Sequence, residues 1–82
     1  MVEREQMPSL RECVHTEVTR YFADLGGEAP RELHAKVMEE VERALLETVL
    51  QHSEGRRGDA AQWLGINRNT LSKKIQRYGL DV

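Results

Sequence analysis

The sequence predicts an all-α protein. Two long helices build a four-helix core together with a second copy of the chain, and two short helices follow. Three observations lead there. Apolar residues recur at steps of three and four through both long segments. Glycines punctuate the pattern at Gly26-Gly27, Gly55, Gly65 and Gly79. The chain has 82 residues and one cysteine, so it buries a modest core without an internal disulfide and leans on self-association.

The first helix is expected at about Leu10 to Leu25. Ser9 and Glu12 have the spacing of a capping box, in which each side chain bonds the other's backbone N–H. Leu10, Val14, Val18, Tyr21, Phe22 and Leu25 line one face, and Gly26-Gly27 ends it. The second helix is expected from Arg31, just after Pro30, to about Ser53, with Gly55 closing it. It is apolar on two sides. Leu33, Val37, Val41, Leu45 and Val49 form one stripe, and Met38, Leu46 and Leu50 an adjacent flank. So wide a surface needs more than one neighbour, and a second subunit is the economical one. Val37, Val41, Leu45 and Val49 are the expected dimer interface.

After Gly55 a short helix is expected over Asp59 to Leu64. A last one, capped by Asn67, is expected from Arg68 to Arg77 and ends at Gly79. The domain organisation expected is a single unit over 1–82. It has a flexible N-terminus at 1–9, dimerisation helices at 10–54 and a helical pair at 56–80.

Charge separates these parts. Up to Glu54 there are six basic residues against twelve acidic ones; from Gly55 onward there are six against two. The formal net charge of -2 therefore hides a basic end on an acidic scaffold. Such an end attracts phosphate, and the scaffold repels it.

The basic end has the plan of a helix-turn-helix. Ala61 is small where the two helices must approach. Gly65 lies where the turn needs a positive φ, and Ile66 anchors the turn. Leu71, Ile75 and Tyr78 share the face that packs back. Asn69, Ser72, Lys73, Gln76 and Arg77 share the opposite one, and Asn67 and Arg68 project from the leading end. Arginine can grip guanine by two hydrogen bonds; asparagine can pair an adenine edge or bond a pyrimidine oxygen. Thr70 and the lysines are suited to phosphates.

"GRRGDAAQWLGINRNTLSKKIQRYGL" resembles the C-terminal end of the factor-for-inversion-stimulation (Fis) family of bacterial nucleoid-associated proteins. The similarity extends upstream through "LRECVHTEVTRYFADLGG" and "VMEEVERALLETVLQHSEG", and so covers Leu10 to Leu80. Arg68 to Leu71 also matches the phrase Arg-Asn-Thr-Leu, common in the related helix-turn-helix that closes enhancer-binding activators of the NtrC type. The resemblance implies an intertwined homodimer in the bacterial cytoplasm, at the nucleoid. Its paired recognition helices would enter adjacent major grooves of bent double-stranded DNA. It implies base contacts from Asn67 and Arg68, and backbone contacts from Arg56, Arg57, Thr70, Ser72, Lys73, Lys74 and Arg77. RNA polymerase is an implied further partner.

The chain also departs from the family. Ser72 replaces an arginine of the enteric proteins, Gly58 a threonine and Asn69 a glycine. Only about eight residues precede the first helix, too few for two ordinary strands and a turn, so the family's invertase-stimulating arm is not expected. The start at Met1, with no attached domain, favours a free-standing regulator over the excised end of an activator. A helical module that binds only protein is the third reading.

Other classes find no support in the residues. His15, His34 and His52 lie too far apart in sequence for zinc spacing, and no metal or cofactor is expected. No nucleophile with a base and no paired catalytic carboxylates occur, so no enzyme and no small-molecule substrate are expected. No apolar run reaches the length of a signal peptide or a membrane span. Cys13 suits a reducing compartment as a small hydrophobe.

Overall fold

A computed structural model describes residues 7–80. The expected flexible N-terminus falls largely outside the described residues, as does Asp81. Among those described, four helices follow one another: α1 (Leu10–Leu25), α2 (Leu33–His52), α3 (Arg57–Leu64) and α4 (Arg68–Tyr78). The chain divides into two compact units, with the boundary between Val37 and Met38 inside α2.

The first unit holds α1 and the start of α2. The capping box forms as its spacing predicts. Glu12 N–H donates to Ser9 Oγ at 3.1 Å, and Ser9 N–H donates to Glu12 Oε1 at 2.8 Å. Gly26, in the left-handed region, ends the helix. Lys36 Nζ donates to Tyr21 Oη at 3.0 Å and sits over the same ring. No residue of α1 is buried. Cys13 is exposed rather than packed.

α2 begins at Leu33, two residues later than expected, because Glu32 adopts a left-handed φ of 50° and cannot belong to the helix. Its other end also differs. The left-handed residue is Glu54 (φ 57°), not Gly55 alone. Glu54 N–H donates to Gln51 O and Gly55 N–H to Leu50 O, the paired bonds of a Schellman ending.

The second unit carries the core. Leu46, Ala60, Ala61, Leu71, Ile75 and Tyr78 are buried, with Val49, Leu50, Leu64, Ile66 and Leu80 packed against them. The part of α2 that meets this core is the flank of Leu46, Val49 and Leu50, with buried Ser53 just past the helix end. The neighbouring stripe is less covered. Val37 and Val41 are half-buried, and Leu45 is 49% exposed. The C-terminal helices thus take one of the two apolar sides of α2 and leave the other.

α3 starts at Arg57, earlier than the expected Asp59. Arg56 holds the cap position without a side-chain cap bond. Its guanidinium instead donates to Asp59 Oδ2 at 2.9 Å and Glu54 Oε1 at 3.0 Å. These partners, Asp59 first, raise the Arg56 pKa further.

Candidate nucleic-acid interface

The α3–α4 turn determines how the basic helix is presented. Gly65 has φ 74° and accepts a left-handed conformation that would strain a side chain. Beyond its own chain neighbours no atom among the described residues lies within 4 Å of where its Cβ would be, so the requirement is conformational and not one of space. Gly65 N–H and Ile66 N–H both donate to Ala61 O, which closes the turn. Ala60 and Ala61 are buried beneath it, so α3 and α4 approach closely.

α4 is two-faced. Leu71, Ile75 and Tyr78 are buried, as their spacing predicts. Asn67, Arg68, Asn69, Thr70, Lys73, Gln76 and Arg77 are exposed, and Ser72 is half-buried. Asn67 Oδ1 accepts from Asn69 N–H at 2.7 Å and caps the helix. That bond takes one of the two lone pairs of Oδ1, and the Asn67 NH₂ group remains to donate to a base.

The cations at this end differ in their surroundings. Arg68 and Lys73 form no ion pair among the described residues. Arg56 and Arg77 are exposed and tied to carboxylates, Arg77 Nη2 to Glu39 Oε2 at 2.8 Å. Lys74 is only 29% exposed, and its Nζ lies 2.9 Å from Glu42 Oε2. Arg57 is half-buried at the start of α3.

Sequence reasoning did not find the acidic side of this arrangement. Glu42 Oε1 accepts from Tyr78 Oη at 2.6 Å, so both its oxygens are engaged by α4. Lys74 and then Tyr78 hold the Glu42 carboxyl below its ordinary range. The same bond raises the Tyr78 phenol. Arg43 Nη1 donates to the Tyr78 backbone oxygen at 2.9 Å and stacks over the Tyr78 ring at 5.3 Å. Arg77 lies over that ring too, at 5.6 Å. Glu42 and Arg43 stand 36 and 35 positions before Tyr78 in the chain, and no local spacing announces their contacts with it.

An open groove of about 700 Å³ is lined by Glu47, Leu50, Glu54, Arg57, Ile75 and Leu80, among others. Its two carboxylates make it a poor seat for a polyanion. Among the described residues no group of His, Cys, Asp and Glu could hold a metal ion. No helix among them is long and apolar enough to cross a membrane.

Two short helices around a left-handed glycine, the second with a buried face and an exposed cationic one, define a helix-turn-helix regulatory domain. The family profile described as "Bacterial regulatory protein, Fis family" matches residues 37–78, just over half of the chain. The chain belongs to that family, whose helix-turn-helix implies a regulatory role with DNA as the partner.

Proposed function

We propose that this protein is a sequence-tolerant DNA-binding and DNA-bending regulator of the nucleoid-associated type, acting as a homodimer. Two copies of α4 enter adjacent major grooves. The observation that carries this reading is the exposure of Arg68 and Lys73 on the leading half of α4, with no carboxylate among the described residues paired to either. In an acidic chain, such cations are free to meet an anion from outside. Arg68 reads guanine through its planar fork, and Asn67 donates from its NH₂ group to a base acceptor. Thr70, Ser72, Lys73, Arg56, Arg57 and Arg77 contact the backbone. Arg77 does so by exchanging the Glu39 carboxylate for a phosphate, which an exposed pair does at little cost.

The division of labour proposed is 10–54 for dimerisation and 56–80 for DNA. Support for the dimer comes from Met38 and Leu45, each about half exposed on α2, and from an α1 without a buried side chain. A second copy would cover Val37, Val41 and Leu45, and the part of Val49 that the chain's own core leaves half-exposed. Sedimentation at micromolar concentration should show a dimer; a folded monomer there would defeat this part. A regulator bound beside a promoter acts on RNA polymerase, the further partner of this reading.

Titration of duplex DNA with the full chain at several salt concentrations tests the DNA reading. Affinity should fall by a few orders of magnitude between low and physiological salt, as for ~6–10 phosphate contacts. A flat profile, or no binding to any duplex, would leave a protein-only module. The NtrC-type reading shares this interface; a parent gene with an ATPase segment upstream would decide for it.

A further inference from the structure

Lys74 stands apart from the other cations of α4, and Glu42 is the reason. Its carboxylate receives two bonds from α4, one from Lys74 and one from Tyr78, on side chains one helical turn apart. Arg43, the next residue of α2, ties down the last carbonyl of the same helix and stacks on the Tyr78 ring. All these contacts fall on the C-terminal half of α4. Asn67 to Ser72 receive no such bond from α2. The reading end is therefore aimed by the turn at Gly65, the buried side chains and this polar anchor behind it.

We propose that Glu42 is a positioning residue for DNA reading, which withdraws Lys74 from the phosphate contacts and uses it, with Tyr78, to fix the pose of the recognition helix on α2. The proposal rests on the reading of α4 as the DNA-reading helix. Its physical basis is that a charge-assisted hydrogen bond between half-buried partners is stronger than a neutral one and restricts geometry. The Lys74 and Glu42 side chains are 29% and 32% exposed, against 62% and 47% for Arg77 and Glu39. Water and salt therefore compete less at Glu42 than at Glu39. The depressed Glu42 carboxyl agrees with a carboxylate kept charged by these partners.

The experiment compares the wild type with Lys74→Met, Glu42→Gln, the double variant and Lys74→Arg. Each is titrated by fluorescence anisotropy against a preferred duplex and one with its outer guanines replaced, at several salt concentrations and well below each variant's melting temperature. The double variant removes a cation and an anion together, so its net charge equals the wild type's. The anchor predicts that it keeps the wild-type salt slope and loses affinity for the preferred duplex by roughly three- to thirty-fold, the range of coupling through a contact network. On the altered duplex it should lose less. It should do no worse than either single variant, because both break the same pair. Lys74→Arg, which can still reach Glu42, should restore discrimination.

If Lys74 is instead a phosphate contact, the double variant lowers the slope by about one per subunit and weakens all duplexes alike. Glu42→Gln alone would then raise affinity by freeing an ammonium. Either result overturns the proposal, as does unchanged DNA binding with only a lower melting temperature. If the wild type binds no duplex, the DNA reading has failed first and the anchor falls with it. A wild type that binds while the double variant loses slope sinks the anchor alone.

Discussion

α1 and α4 are both amphipathic, yet they end up differently. α4 buries Leu71, Ile75 and Tyr78, whereas α1 buries nothing. The exposed residues of α1 include Leu10 and Phe22. The contrast shows that the apolar pattern of a helix states a demand for a neighbour without saying which. For α4 the demand is met within the chain, by α3 and the Leu46 flank of α2. For α1 the described residues provide only half-burial of Val14, Val18, Tyr21 and Leu25. The proposed second copy would supply the remainder.

The largest expected effect separates the two regions outright. Leu71→Ala empties a fully buried site and should cost ~2–5 kcal/mol at any protein concentration. Leu45→Ala alters a half-exposed side chain. Its cost should approach that range only where the chain is dimeric, and should shrink on dilution. Chemical denaturation at several protein concentrations measures both. A Leu45→Ala cost that stays near zero throughout would remove the interface and leave the contrast between α1 and α4 without its explanation.

A smaller effect sharpens the comparison at the turn. Gly65→Ala places a Cβ on a residue with φ 74° and should cost ~1–2 kcal/mol through left-handed strain. Since nothing crowds that Cβ, Gly65→Asn should cost clearly less. Thermal melting of the pair checks this; equal losses would point to packing instead of backbone strain.

The smallest effect lies in acid. The Glu42 carboxyl is held below its ordinary range, by Lys74 first. The folded state therefore favours its charged form. That stability is present above the unfolded carboxylate pKa and is lost as pH falls through the lower, folded value. The stability gap between wild type and Glu42→Gln should narrow as pH drops from about 5 to about 3. A gap that stays constant would mean that the Glu42 charge contributes nothing to holding α4.

Much of this was legible because its causes are local. Ser9 with Glu12, Asn67 before Arg68, and Gly65 between two apolar turns each satisfy a demand within four residues of themselves. The face of Leu71, Ile75 and Tyr78 was legible for the same reason. Helix ends shifted where a residue took an unfavoured role. Glu32 and Glu54 went left-handed, and Arg56 stood at a cap position without capping. The polar anchor of Glu42 and Arg43 was not legible, because its partners meet only once the fold has formed. The double use of Asn67 was half legible. Its capping followed from sequence, but the choice of Asn69 N–H as the group capped needed the 2.7 Å bond.

The central claim is that the leading end of α4 reads bases, and Arg68 tests it most directly. Arg68→Ala and Lys73→Ala should be titrated at fixed salt on a preferred duplex and on one with its outer guanines replaced. The account predicts that Arg68→Ala costs ~1–3 kcal/mol on the preferred duplex and levels the preference, while Lys73→Ala weakens both duplexes alike and lowers the salt slope by about one per subunit. If Arg68→Ala lowered both affinities equally, Arg68 would be one more phosphate clamp, and the base-reading role of this helix would be contradicted.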